Sequence, residues 1–314
     1  MKPAPNIERA GRTVEERVAD LMIRLDSLLE GPQAAAHLVA CGTAAVPPLR
    51  RFLVEGRPRG VFQTRVWAAQ ALGGLGADDV LLEYLGGPIG SSDPVVRFAE
   101  QTVRSAAAKI LAESQLPGVS ETLLDIAREE RLPGALDAVA ERDPETATPI
   151  LIAALEDDFA RDAAQAALHR LGAAVCDALV DTALDPGAGT EAALRRRRAA
   201  LALLLHIDFD TDTWQRLERL LDEEDAQLVC AVSLLGVERS PNPGRIARRL
   251  VDLLPTIGWD WLGDVEEIVV RCTARSGGDL RLLLPLPADG EHRAGVLMVW
   301  QRICRRINEA AGRR

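Results

Sequence analysis

The residues of this 314-residue protein that could do chemistry are chiefly carboxylates. One short segment has aspartates at alternate positions, Asp208, Asp210 and Asp212. This spacing is typical of the start of a calcium-binding loop. The later positions do not fit, because Thr213 replaces the glycine of the turn and Arg219 replaces the bidentate glutamate. We therefore interpret the segment as an acidic inter-helix turn, with Asp212 or Thr211 as the helix N-cap.

A second acidic segment, EDDFARD, has a spacing similar to that of the magnesium-binding helices of prenyl-chain enzymes. Its aspartates are Asp157, Asp158 and Asp162. Magnesium binding there needs a second acidic cluster on a facing helix, and the sequence has none. The histidines are dispersed, and none has a second ligand three or four residues away. These are His37, His169, His206 and His292. We expect no metal, no cofactor and no catalytic residue, and hence a protein that is not an enzyme.

Composition narrows the class of protein further. The sequence is 47% hydrophobic and only 4% aromatic, so its apolar content is mainly Ala, Leu and Val. Its net charge of −10 makes binding along nucleic acid unlikely, since phosphate contacts require a basic surface. The five cysteines form no CxxC unit, no signal peptide is recognisable, and no apolar stretch is long enough to span a membrane. We expect a soluble, cytoplasmic protein.

Hydrophobic residues recur at helical spacing along most of the sequence. Thr13 and Glu16 form a capping-box pattern ahead of an amphipathic helix whose apolar face runs from Val18 to Leu29. A last helix is predicted over about residues 292–311. No stretch alternates at period two for long, and DLRLLLPLP is the only ambiguous piece. These patterns predict an all-α fold.

Two nearly identical phrases, RVWAAQALGGLGA from Arg65 and RDAAQAALHRLGA from Arg161, indicate an internal repeat. In each, a small residue is followed three and four positions later by apolar residues. The same register starts at Ala68, Ala135, Ala164, Ala200 and Ala231. In the helix after Asp93, a register at Glu100/Val103 and one at Ala107/Ile110/Leu111 both fit. The spacing of about three dozen residues is typical of stacked helical pairs.

As a set, DPVVR, EDDFARDAAQAALHRLG and CGTAAVPPL resemble HEAT or HEAT-like repeats, including those of the phycobilisome-lyase type. The resemblance covers roughly residues 35–240. It implies that Asp93 and either Asp157 or Asp158 cap second helices. It also implies that one arginine in each second helix hydrogen-bonds toward neighbouring repeats. These are Arg65, Arg97, Arg161 and Arg197. The repeat near residues 131–142 lacks this Asp/Arg pair.

The resemblance implies a single α-solenoid, a right-handed superhelix of about six to eight HEAT-like helical pairs. We expect a flexible tail over residues 1–12 and one solenoid over residues 13–314. Its regular repeats span about residues 35–240, and irregular C-terminal repeats and a cap span residues 241–314. Such arrays offer long concave surfaces for binding.

The function implied is that of a non-enzymatic adaptor or scaffold that binds another protein along its concave face. Exposed positions of second helices are the predicted contacts: Gln70, Arg104, Glu141, His169, Arg170 and Arg198. The four arginines of Arg195–Arg198 spread around the helix, so they do not form one flat patch. Self-association through an end of the array stays open, and an exposed apolar strip on the last helix would favour it.

An enzyme alternative also follows from the resemblance. Some HEAT-like proteins are DNA glycosylases that remove alkylated bases, using tryptophans and one catalytic Asp. Trp259-Asp260-Trp261 supplies these residue types, but positions i and i+2 of a helix do not share a face. The acidic composition also opposes DNA binding. Another HEAT-like group attaches bilin pigments to light-harvesting proteins, and no residue here indicates that activity.

Overall fold

The computed structural model of the protein describes residues 13–58, 61–187, 189–277 and 294–311. Within these ranges every regular element is helical, so the predicted all-α class is confirmed. The α-helices are α1 (Val14–Leu25), α2 (Gly31–Ala40), α3 (Val46–Arg50), α4 (Gln63–Gly74), α5 (Asp78–Gly86), α6 (Pro94–Ile110), α7 (Val119–Glu129), α8 (Pro133–Arg142), α9 (Pro144–Ala154), α10 (Arg161–Leu171), α11 (Cys176–Leu184), α12 (Glu191–Leu204), α13 (Thr211–Glu218), α14 (Ala226–Arg239), α15 (Pro243–Leu253), α16 (Leu262–Arg275) and α17 (Ala294–Ala311). A π-helical segment, Arg51–Glu55, continues α3.

The protein divides into two compact units. The N-terminal unit comprises the described residues of Met1–Ala154 together with Asp162–Ala167. The C-terminal unit comprises Leu155–Arg161 and the described residues of Leu168–Arg314. The expectation of one solenoid over residues 13–314 stays a prediction, and the expected tail over residues 1–12 lies outside the described residues.

In the N-terminal unit, consecutive helices pack as pairs: α1 with α2, α3 with α4, α5 with α6 and α7 with α8. The second helices of successive pairs also contact one another, in the order α2, α4, α6 and α8. In the C-terminal unit the pairs are α11 with α12, α13 with α14 and α15 with α16. There α12 contacts α14, α14 contacts α16, and α17 packs on α16.

Small residues at the helix contacts explain why the sequence repeats. Ala68, Ala107 and Ala200 are fully buried in their second helices. At Gly134 the approach is closest, because a Cβ there would lie 1.8 Å from the Ser105 carbonyl oxygen. The Gly134 amide also donates to Ser105 Oγ at 2.7 Å. The backbones of α6 and α8 thus approach so closely that only glycine fits.

The first helix is shorter than its apolar pattern predicts. The capping box forms, since Glu16 N donates to Thr13 Oγ1 and Thr13 N donates to the Glu16 carboxylate. The helix ends at Leu25, however, and Leu28 and Leu29 lie exposed in the following turn. Ser27 stabilises that turn by accepting from the Leu29 amide. The expected apolar face therefore stops one turn early.

Candidate functional site

In several helical pairs, a buried arginine of the second helix bonds to the end of the first helix. The Arg65 guanidinium of α4 donates to the carbonyl oxygens of Phe52 and Leu53, at 3.0 and 2.8 Å. Both carbonyls belong to the last turn of the π-helical segment, where no further helical amide follows to satisfy them. The Arg65 guanidinium thus caps the C-terminal end of the preceding helix.

Arg104 of α6 makes the same contacts one pair later. Its guanidinium donates to the Leu85 and Gly87 carbonyls at the end of α5, at 2.8 and 2.7 Å. In the C-terminal unit, Arg197 Nε of α12 donates to the Ala183 carbonyl of α11 at 2.8 Å. We call Arg65, Arg104 and Arg197 the capping arginines. Related bonds to carbonyls near the ends of other helices come from Arg142, Arg161, Arg249 and Arg275.

Each capping arginine also pairs with a glutamate farther along the sequence. Arg65 lies 2.9 Å from a Glu100 carboxylate oxygen, and both side chains are 5% exposed. Arg104 lies 2.6 Å from Glu130, whose side chain is 27% exposed. Arg197 lies 2.6 Å from Glu223. These arginines therefore connect the preceding helix end to the following pair, as the repeat resemblance implies for Arg65 and Arg197.

The Arg65 site contains one further buried group. The hydroxyl of Tyr84 donates to the same Glu100 oxygen at 2.5 Å, and the Arg65 guanidinium lies 5.8 Å from the centre of the tyrosine ring. Burial, with the nearby Glu100 charge, raises the pKa of Tyr84 well above its usual range. Tyr84 is therefore a neutral donor, and the carboxylate has two partners that stabilise its charge.

The prediction that Arg97 is the structural arginine of α6 is wrong. Arg97 is exposed in the second turn of the helix, whereas Arg104 is buried. The expected exposure of Arg104 toward a partner is therefore wrong: its side chain lies between the end of α5 and Glu130. The sequence pattern also favours Arg104 over Arg97. The pattern Arg-x-x-Ala-x-x-x-Leu occurs at Arg65, Arg104, Arg161 and Arg197 and does not occur at Arg97. The Ala107 register is therefore the repeating one.

Of the predicted aspartate caps, Asp93 is a helix N-cap, whereas the N-cap of α10 is Ala160 and Asp157 bonds within the turn before it. Asp93 is the N-cap of α6 and accepts from the Val95 amide at 2.8 Å. Asp157 accepts from the Phe159 and Ala160 amides just before α10. Asp158 pairs with Arg161, and the hydrogen bond from that guanidinium lowers the pKa of the Asp158 carboxyl.

The acidic segment of alternate aspartates is an inter-helix turn. Its N-cap is Asp210, not Asp212 or Thr211, because Asp210 accepts from the Thr213 amide at 2.9 Å. Among the described residues, no three His, Cys, Asp or Glu side chains lie together in a way that could hold a metal ion.

Because the structural arginine of α6 is Arg104 and not Arg97, the first two turns of this helix lie outside its repeating part. α4 begins two residues before its capping arginine, whereas α6 begins ten residues before Arg104. This additional helix displays two apolar side chains at i and i+3, Val95 and Phe98, which are 66% and 53% exposed. We call Val95, Arg97 and Phe98 the α6 extension patch.

The remaining predicted contact residues are exposed, two in each compact unit. Gln70, Glu141, His169 and Arg170 are exposed on four positions of α4, α8 and α10. Glu141 lines a cavity of about 460 Å³ with Arg142, Asp143 and Ser120. The His169 ring meets the His206 ring edge-on, with 5.4 Å between centroids.

Three arginines of the run in α12, Arg196, Arg197 and Arg198, form ion pairs within the C-terminal unit. Arg196 lies 2.6 Å from Glu156, and Arg198 lies 2.7 Å from Asp225. Arg198 is only partly exposed, so its expected contact role competes with this pair. The run therefore does not present four unpaired positive charges.

The residues named for the glycosylase alternative lie on a short 3-10 turn, Trp259–Trp261. Trp259 and Asp260 are exposed and Trp261 is partly buried.

A second apolar surface lies near the start of the sequence, where a groove of about 600 Å³ separates α1 from the π-helical segment and the residues before α3.

No helix in the described ranges is long and apolar enough to cross a membrane. Comparison of the sequence and structure with protein-family models, with curated proteins and with solved structures finds no match in any of the three.

Proposed function

We propose that the protein is a HEAT-like α-solenoid that binds another protein, as a non-enzymatic scaffold in the cytoplasm. Two features support the solenoid. Second helices of successive pairs contact one another within each unit. A capping arginine also recurs at Arg65, Arg104 and Arg197 with the same bonds to a preceding helix end. A structure that repeats its contacts can present an extended binding surface.

The observation that carries the binding proposal is the α6 extension patch. Two turns of helix project beyond the repeating register, and Val95 and Phe98 are mostly exposed there. Single exposed apolar residues are ordinary, but adjacent ones beside an exposed arginine are typical of interface centres, where aromatic residues and arginine are enriched. We place the partner on this patch.

The charge distribution favours a protein partner over nucleic acid. The net charge of the protein is −10, and the arginines of α12 are held by acidic residues. Affinity for nucleic acid depends on positive charges that can neutralise phosphates. Protein interfaces need no such surface and depend on a few buried apolar and aromatic anchors.

The test is affinity capture from the source organism with the double variant Val95→Glu/Phe98→Glu. Leu116→Glu is the matched control, because Leu116 is also an exposed apolar residue of the N-terminal unit but lies between α6 and α7. We expect one dominant protein to be captured by the wild type and the control, and to be lost at least about thirty-fold in the double variant, as for an interface anchor.

Equal capture by all three proteins would contradict the proposal that the patch binds the partner. Recovery of nucleic acid in place of a protein would instead favour the glycosylase alternative. That activity would then be measured by salt-dependent binding to an alkylated DNA duplex and by release of the damaged base.

A further inference from the structure

The groove near the start of the sequence is apolar and open on one side. Its lining includes Ala19, Met22 and Ile23 of α1, with Ala44, Pro48 and Phe52 opposite. We call these six residues the N-terminal groove. Ile23 is 77% exposed, so an isoleucine projects beside a depression that is lined largely by small and apolar residues. The groove has a volume of about 600 Å³, large enough for several side chains of a second helix.

Two exposed residues of opposite charge also line this groove. Glu15 lies in the first turn of α1, and Arg51 begins the π-helical segment. A surface that carries an acid and a base beside a projecting apolar residue and a depression is complementary to itself. In an isologous contact about a two-fold axis, each feature meets its complement from the second copy.

We propose that the N-terminal groove is a homodimer interface whose occupant is α1 of a second copy of this protein. The two α1 helices run antiparallel about the two-fold axis. Ile23 inserts into the partner's depression beside Ala19 and Ala44, and Glu15 pairs with Arg51 of the partner subunit. Each pair then forms twice, so the exposed apolar residue and both charges are satisfied on each side.

This interface is separate from the α6 extension patch and does not depend on it. It also lies at the opposite end of the sequence from the last helix, where Arg302 and Arg306 are held by Glu266 and Glu267 of α16.

Sedimentation velocity of the full-length protein, from about 1 to about 100 µM, tests for a reversible dimer with a micromolar dissociation constant. We expect a shift from monomer to dimer in the wild type. Ile23→Glu should weaken dimerisation roughly thirty-fold or more, because it places a charge at the buried centre. Leu116→Glu is the matched control, because Leu116 is an exposed apolar residue outside both surfaces, and it should dimerise as the wild type does. Circular dichroism verifies that each variant is folded.

Charge reversal tests the two-fold arrangement itself. Glu15→Arg and Arg51→Glu should each weaken the dimer, since like charges then meet across the axis, and the double reversal should restore it. A wild type that stays monomeric throughout would overturn the proposal. So would a dimer that persists unchanged in Ile23→Glu, or a double reversal no better than the single variants. Because Val95→Glu/Phe98→Glu addresses the other surface, failure here is distinguishable from failure of the scaffold proposal.

Discussion

Arg97 and Arg104 lie seven residues apart on α6, two turns apart on nearly the same face, yet they differ completely in environment. Arg104 is buried against the last carbonyls of α5 and pairs with Glu130, whereas Arg97 is exposed. The difference follows from the neighbouring helix, because the end of α5 lies beside Arg104. One helix thus has a packed part that builds the repeat and a displayed part that can serve binding.

The largest effect is expected from separating these two arginines. Arg104→Ala removes three bonds to helix-end carbonyls and leaves Glu130 unpaired, so it should lower the free energy of unfolding by about 3–5 kcal/mol. Arg97→Ala should change it by less than about 0.5 kcal/mol, as expected of an exposed side chain. Urea denaturation followed by circular dichroism measures both. Equal losses would show that the register assigned to α6 is wrong.

A second experiment compares the Arg65 and Arg104 sites. Glu100→Gln removes a carboxylate that is only 5% exposed and is buried with its arginine and tyrosine, so it should cost about 3 kcal/mol. Glu130→Gln should cost about 1 kcal/mol, because water reaches its partly exposed side chain. Denaturation of both variants under the same conditions gives the difference. A larger loss at Glu130 would contradict the role of burial.

Tyr84 provides an optical measure of the Arg65 site, since it is the only tyrosine of the sequence. Burial raises its pKa in the folded protein, so its contribution to stability is complete below the unfolded pKa of about 10. That contribution decreases above this pH, by about 1.4 kcal/mol at one unit above it. Phenolate absorbance should therefore appear together with alkaline unfolding. Ionisation of Tyr84 while the helices stay intact would show that the site is open to water.

The smallest effect is expected at the start of α6, ahead of Val95 and Phe98. Asp93→Ala removes the N-cap of α6 and should cost about 1 kcal/mol. Because the cap serves the first turn, hydrogen exchange should accelerate over residues 94–101 and change little after Arg104. Uniform acceleration along α6 would indicate that the helix opens as one element and that its two parts are not separate.

Local signals in the sequence predicted much of the fold. The capping box at Thr13 and the N-cap at Asp93 depend on residues within one turn, and both are present. The position of the structural arginine in α6 could not be predicted from signals within one turn. Asp93-x-x-x-Arg97 matches Asp157-x-x-x-Arg161 in spacing, whereas the pattern Arg-x-x-Ala-x-x-x-Leu favours Arg104. The end of the neighbouring helix α5 shows which of the two arginines is buried.

The surfaces were less predictable than the helices. Val95 and Phe98 are exposed because they lie in the additional first turns of α6. Those turns are recognised as additional only once Arg104 is known to be the structural arginine. Likewise, the ion pairs Arg196–Glu156 and Arg198–Asp225 join residues 40 and 27 positions apart in the sequence, separations that helical periodicity does not encode.

The most direct test of the central claim compares two positions of α6 inside the cell of origin. A photo-crosslinking amino acid replaces Phe98 in one variant and Lys109, which is exposed near the end of the helix, in the other. We expect a discrete adduct with a partner protein from position 98 and none from position 109. Equal adducts at both positions, or an adduct from position 109 alone, would contradict a binding function of the α6 extension patch.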